Sequence, residues 1–325
     1  MEHTTRAATF DVTSLGEIMV RLSVPTGERL DDAESLTMEI GGAEGNLSIA
    51  LARLGRSVAW LGRLPLNSLG EYVVRTLRAD GVNVSGVRRT ARERVGLYFI
   101  EYASTPRNIN VIYDRADSAA AKMSPSDVDW DLLLDTRILH LTGITPALSS
   151  SCCDIVRECF ARARSSGIRV SFDVNFRSKL WDASHAGSTL RPFMEQADVL
   201  FCKSSDAAAL FGCGGSATEQ IAQLKKMTSA QTIYLTCGEA GALLSHAGTI
   251  SSQRALPVTI IDRVGSGDAF AAGALDGILD GDPHEGLRRG IALAAIALSQ
   301  LGDRVLSSRA ELEAVLMRQD GDISR

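Results

Sequence analysis

Short apolar blocks alternate with longer amphipathic runs along most of the chain. Residues 10–16 alternate and end at Gly16, which predicts a first strand. Residues 17–40 stay short and strand-like, with Pro25 and Gly27 as turn signals. After Gly41-Gly42-Ala43-Glu44-Gly45-Asn46, apolar Leu47, Ile49, Ala50, Leu51 and Leu54 recur at helical spacing until Gly55. Residues 57–61 read as a strand, and 69–78 as a helix closed by Asp80-Gly81. Residues 95–102 and 108–113 break this rhythm. They are rich in β-formers and joined by a turn through Pro106, which predicts a hairpin. With residues 17–40 it can form a small second sheet. Alternation then resumes, with strands at 138–141, 169–172, 199–201, 232–235 and 242–245. Helices are predicted at 149–165, 188–197 and 204–228, and three more close the chain at 268–279, 285–300 and 309–318. Strands alternating with helices imply an α/β fold: a doubly wound, mainly parallel sheet covered on both faces. We expect one domain spanning 1–325, with a small β-sheet lid from about 17–40 and 92–116.

Composition changes this picture little. A chain of 325 residues, 45% hydrophobic and 22% charged, can bury a large core. Its net charge of −5, with no Lys/Arg run, argues against nucleic-acid partners. No apolar run reaches membrane-spanning length, and Met1 to Thr9 lacks an apolar signal core. The six cysteines show neither a C-x-x-C nor a paired zinc spacing, so a cytoplasmic location is expected.

Candidate chemistry centres on Asp262-Arg263-Val264-Gly265-Ser266-Gly267-Asp268. Free amides at a helix start attract anions, because the first turn lacks internal acceptors. Amides of Gly265, Ser266 and Gly267 can hold a transferring phosphoryl group, and Asp268 can take a proton from an attacking hydroxyl. The plainer alternative is an ordinary N-cap aspartate. Walker A, the dinucleotide fingerprint, H-E-x-x-H and the G-x-S-x-G elbow are all absent.

Gly41-Gly42-Ala43-Glu44 with Asn46, and Val264-Gly265-Ser266-Gly267-Asp268-Ala269-Phe270, resemble the two signatures of the ribokinase-like (PfkB) carbohydrate kinases. Further segments look most like the 2-keto-3-deoxygluconate kinases. They are 96–101, Ile112-Tyr113-Asp114-Arg115, 140–145, Phe172-Asp173-Val174-Asn175-Phe176-Arg177 and Lys179-Leu180-Trp181. The resemblance implies an ATP-dependent sugar kinase using Mg²⁺, with potassium left open, and a lid over the sugar. It implies that Gly41, Gly42 and Asn46 meet the sugar. A keto-deoxy sugar acid carries a carboxylate that Arg115 and Arg177 can hold by charge-assisted hydrogen bonds, with Tyr98 and Tyr113 adding hydroxyls and apolar walls.

For the nucleotide, Thr236, Gly238 and Gly241 resemble the family's T-x-G-x-x-G turn. Lys203 and Asp206 stand where N-x-x-E is usual, with Asp206 supporting magnesium through water and Lys203 facing a phosphate. Asp262 in relatives helps to hold a monovalent cation, and Arg263 departs from the usual residue beside it. Edges of the small sheet suggest a homodimer through the lid. Two alternatives stay open: a fructokinase-like kinase for another small sugar, and a non-catalytic sugar- or nucleotide-binding regulator.

Overall fold

The computed structural model describes residues 8–103 and 107–322, with side chains described as far as 318. The expected turn through Pro106 lies outside these residues, as do most of the polar N-terminus and the last residues of the chain. The chain runs β1 (Phe10–Leu15), β2 (Met19–Ser23), β3 (Thr37–Gly41), α1 (Ala43–Arg53), β4 (Val58–Leu61), β5 (Arg63–Pro65), α2 (Ser68–Ala79) and β6 (Arg88–Thr90). It continues with β7 (Leu97–Glu101), β8 (Asn110–Asp114), α3 (Trp130–Leu134), β9 (Thr136–Thr142), α4 (Ile144–Leu148), α5 (Ser150–Ser165) and β10 (Arg169–Asp173). Next come α6 (Ala183–Gln196), β11 (Val199–Lys203), α7 (Ser204–Phe211), α8 (Ala217–Met227), β12 (Thr232–Thr236), β13 (Ala242–His246) and β14 (Thr249–Gln253). Helices α9 (Ser266–Leu279), α10 (Pro283–Leu298) and α11 (Arg309–Asp322) close it.

Eight strands form the main sheet in the order β14-β13-β12-β11-β10-β9-β1-β4. From β4 to β12 all pairs are parallel, while β13 and β14 add antiparallel pairs. Strand residues alternate faces, so Ile138 and Leu139 enter opposite cores. Leu139, Leu141, Phe172 and Leu200 pack under Phe160 of α5 and Phe193 of α6. Ile138, Val199 and Phe201 pack under Leu51 of α1, Phe270 of α9 and Leu293 of α10. Strand order reverses beside β1, whose neighbours are β4 and β9, and ligands of open α/β sheets bind at such a crevice.

The second sheet has the order β3-β2-β7-β8. Glu39, Arg21, Tyr98 and Tyr113 lie directly opposite one another across it, forming one row on one face.

Several element boundaries differ from the pattern reading, two of them with a clear local cause. The run 204–228 is not one helix: Gly212 takes the left-handed conformation, at φ 69°, and ends α7. Ser216 then starts α8 with a capping box to Glu219. Helix α6 begins five residues earlier than 188, because the Asp182 carboxylate accepts the His185 amide at 2.9 Å. Strand β14 escaped the pattern reading, since Thr249, Ser251 and Ser252 give it little apolar signal.

Candidate active site

The site lies past the carboxyl ends of β1, β9, β10 and β11, where the 262–268 segment leads into α9 and where α1 begins. Helix α9 begins at Ser266, two residues before the position the pattern suggested. Gly265 is its N-cap, in the left-handed conformation at φ 82°, so Asp268 is not a capping residue. A Cβ on Gly265 would stand 2.4 Å from the Asp303 carbonyl oxygen, so both the turn and its backing demand glycine. No side chain caps the first amides of α9. A Cβ on Gly267 would meet no protein atom, so the space before the turn is open.

Asp268 is buried, and its Oδ2 accepts a hydrogen bond of 2.7 Å from Asn46 Nδ2. Asn46 Oδ1 in turn accepts the Gly42 amide at 3.3 Å. Burial pushes the Asp268 carboxyl above the ordinary aspartate range, while the Asn46 hydrogen bond and the Arg177 charge oppose this. Gly41 and Gly42 are close-packed. A Cβ on Gly42 would lie 2.1 Å from the Glu17 carbonyl oxygen, and one on Gly41 would lie 2.0 Å from the Tyr98 hydroxyl.

Two residues given no separate role in the pattern reading join this centre. Asp173 ends β10, and burial, then the charge of Asp268, push its carboxyl up to about 8. Asp173 remains partly exposed, so water tempers that shift. Asn175 holds φ at 40° with both its amide and its side chain on Asp173, and also bonds Asp268. A non-glycine residue in that conformation carries strain of the kind found at functional sites. The quoted motif 172–177 held the signal for both. Glu44 is a third such residue. It is fully buried, Thr142 and Thr145 each donate to its Oε1 at 2.8 Å, and its Oε2 has no hydrogen-bond partner among the described residues. Burial pushes its carboxyl up to about 7.

A cavity of 660 Å³ opens between the small sheet and the segment after β10. Tyr113, Arg115, Phe176, Arg177 and Lys179 line it. The 265–268 turn is not among its walls; the link is Arg177, which lines the cavity and whose charge acts on Asp268. Arg177 and Lys179 are exposed, and neither forms an ion pair among the described residues. Lys179 Nζ instead donates to the Val111 carbonyl and lies 5.8 Å from the Tyr113 ring centre.

The two cations expected at the sugar therefore differ. Arg115 lines the cavity, but it is buried and its guanidinium already pairs with Glu17, whose other oxygen accepts Ser118 at 2.5 Å. The two tyrosines differ as well: Tyr113 is 39% exposed and Tyr98 only 2%, stacked behind it at 5.8 Å between ring centres.

Of the residues expected at a nucleotide, Lys203 ends β11 exposed, and Asp206 sits in the first turn of α7. Burial raises the Asp206 carboxyl, against hydrogen bonding from Ser205 and the charge of Lys203. Thr236 ends β12. Gly238 is exposed at φ 59° with open space before it. Gly241 is buried at φ 97°, and its Cβ would strike the Gln253 carbonyl oxygen at 2.0 Å, so backbone packing alone requires glycine there. Among the described residues no group of three or more His, Cys, Asp or Glu could hold a metal ion directly. Asp173 nonetheless lies within electrostatic reach of both Asp206 and Asp268.

The pfkB family carbohydrate kinase profile matches residues 9–309. The 2-dehydro-3-deoxygalactonokinase of Haloferax volcanii is 37% identical over 98% of this chain and 100% of its own length. The 2-dehydro-3-deoxygluconokinase of Thermoproteus tenax is 30% identical over 95% of each chain. The crystal structure of the Thermotoga maritima 2-dehydro-3-deoxygluconokinase superposes with a TM-score of 0.91 at 30% identity, covering 95% of this chain and 99% of that one. With these matches spanning both motifs and both sheets, the chain belongs to the pfkB family of carbohydrate kinases.

Proposed function

We propose that this kinase transfers the γ-phosphoryl group of ATP to the terminal 6-hydroxyl of a 2-keto-3-deoxy sugar acid. The substrate class is 2-keto-3-deoxygluconate with its galactonate epimer, the substrates named for the relatives. The observation that carries the reading is Arg177. It is exposed in the cavity, forms no ion pair among the described residues, and its charge reaches Asp173, Asp206 and Asp268. A cation left unpaired there favours an anionic substrate and binds one end of it while the other end meets the base.

Asp268 takes the hydroxyl proton, and Asn46 and Asn175 hold its carboxylate in place. Amides of Gly265, Ser266 and Gly267 stabilise charge on the transferring group. Gly41 and Gly42, whose missing side chains make room for the Tyr98 hydroxyl and the Glu17 carbonyl, meet the sugar through their backbone alone. Tyr113 forms the outer wall with Tyr98 behind it, and Arg115 shapes the wall through Glu17. Thr236, Gly238, Gly241 and Lys203 line the nucleotide side. Magnesium bound with ATP would neutralise phosphate charge, and Asp206 would hold it through water. The small sheet serves as a lid that excludes water. Its edge strands β3 and β8 expose Met38, Ile112 and Tyr113, which supports a homodimer through the lid. No described helix is long and apolar enough to cross a membrane, and unpaired cysteines suit the cytoplasm.

ADP release with 2-keto-3-deoxygluconate, 2-keto-3-deoxygalactonate and fructose tests the reading. The expected outcome is a kcat/KM for an acid sugar at least ~10-fold above that for fructose, since an unpaired arginine is left facing the neutral sugar. Equal or higher use of fructose overturns the sugar-acid reading and leaves the family assignment standing.

A further inference from the structure

The resemblance places a monovalent cation beside Asp262, and the residues around Asp262 do not fit one. Both oxygens are already occupied. Oδ2 accepts Arg21 Nη2 at 2.6 Å, the Tyr102 hydroxyl at 2.7 Å and the Gly302 amide at 3.2 Å. Oδ1 accepts the Val264 amide at 3.0 Å. Three donors crowd Oδ2 and one holds Oδ1, and the Arg21 guanidinium stands where an ion against this carboxylate would bring its charge. The same Arg21 guanidinium also donates through Nη1 to Asp303 Oδ1, lies 3.6 Å from Glu39, and stacks over Tyr102 at 5.5 Å. Arg21 and Asp262 are both 0% exposed. A charge so buried persists only because carboxylates surround it.

Its position ties the two sheets together. Arg21 sits on β2 of the small sheet, directly opposite Tyr98 and Glu39. The carboxylates it holds bracket the phosphate turn: Asp262 fixes Val264, and the Asp303 carbonyl backs Gly265. We propose that Arg21 is the resident cation of the phosphate turn, a positioning residue supplied by the lid sheet in place of a monovalent ion. The protein therefore needs no potassium there. Removing the guanidinium leaves two buried carboxylates around a hole of cation size, so the variant acquires a need for a soluble cation.

The test uses the full chain, with Arg21→Ala and Arg21→Lys, in sodium-free buffer. KCl and guanidinium chloride are the probes, and melting temperature and ADP release the readouts. For the unsubstituted protein, KCl at ~100 mM moves turnover by less than about twofold and the melting temperature no more than choline chloride does. Arg21→Ala loses on the order of 10²-fold in turnover because the turn is misplaced. KCl or ~10 mM guanidinium chloride restores about tenfold of this and raises the variant's melting temperature alone. Arg21→Lys keeps the charge and falls between the two. Strong potassium activation of the unsubstituted protein overturns the proposal. So does an Arg21→Ala variant of normal turnover, or a loss that neither added cation nor lysine relieves. Should Arg21→Ala fail to fold, the unsubstituted protein and Arg21→Lys decide the matter. The rate arm rests on the proposed kinase reaction; absence of turnover with every sugar would sink that reaction, while the melting arm would still judge Arg21.

Discussion

Helix α9 carries two carboxylates about two turns apart that meet opposite surroundings. Asp268, in the first turn, receives amide donors from Asn46 and Asn175, and burial holds its carboxyl above the ordinary range. Asp276, with 0% exposure, receives three guanidinium groups: Arg56 at 2.7 Å, Arg289 at 2.6 Å and Arg309 at 2.6 Å on each oxygen. Burial works to raise Asp276 too, but hydrogen bonds from Arg309 and Arg56 overcome it and hold the carboxyl low. Both residues are equally acidic in isolation. The difference is whether cations have been supplied. A carboxylate with enough cations is a structural anchor; one left short of them is destabilising when charged and ready to take a proton.

Asp276→Asn should break the anchor. It leaves three arginines without their shared carboxylate, an expected loss of about 3–5 kcal/mol. The melting temperature should fall by roughly 6–20 °C at about 2–4 °C per kcal/mol, while turnover at 25 °C stays within about twofold. Unchanged melting would remove the contrast with Asp268. Gly265→Ala attacks the other end of the helix. The methyl group meets the Asp303 carbonyl at a φ of 82°, so the turn must shift. Turnover should fall by about 10²-fold with less effect on sugar KM; an effect confined to sugar KM would separate the turn from the phosphoryl group.

Arg177→Ala should raise KM for the acid sugar by roughly 10–100-fold, the range of one lost charge-assisted contact, and barely affect fructose. Equal damage to both sugars would mean that Arg177 acts through Asp268 alone.

The smallest expected effect concerns pH. Asp268 has a raised folded pKa, so as pH falls it takes its proton above the 3.8 of a free aspartate, and the charged base is lost first. Asp276 has a depressed folded pKa, so its stabilisation is complete above 3.8 and is lost only as pH falls further. Turnover should therefore fall before the fold does. Rate and circular dichroism followed together down the acid limb check this; coincident loss would count against it.

Much of this was legible in the sequence because it is local. Gly265, Gly267 and Asp268 announce a turn and a helix start within four residues, and Asn46 belongs to an equally compact motif. The strands of the main sheet other than β14 declare themselves by apolar runs. What stayed hidden depends on pairings that only folding creates. Glu17 reaches Arg115 and Arg21 reaches Asp262 and Asp303 across sequence separations of 98, 241 and 282 residues. Spacing alone could not reveal that Arg115 already has a carboxylate while Arg177 does not. Asp173 and Asn175 were visible as motif letters, but their convergence on Asp268 needed the end of β10 beside the start of α9.

The most direct measurement is kcat and melting temperature on one preparation of Asp268→Asn, assayed with the best acid sugar. Turnover should fall by about 10²–10⁴-fold with melting unchanged or raised, since a buried charge short of cations has been removed. Turnover within a few-fold of the unsubstituted protein, or turnover and fold lost together, would contradict it.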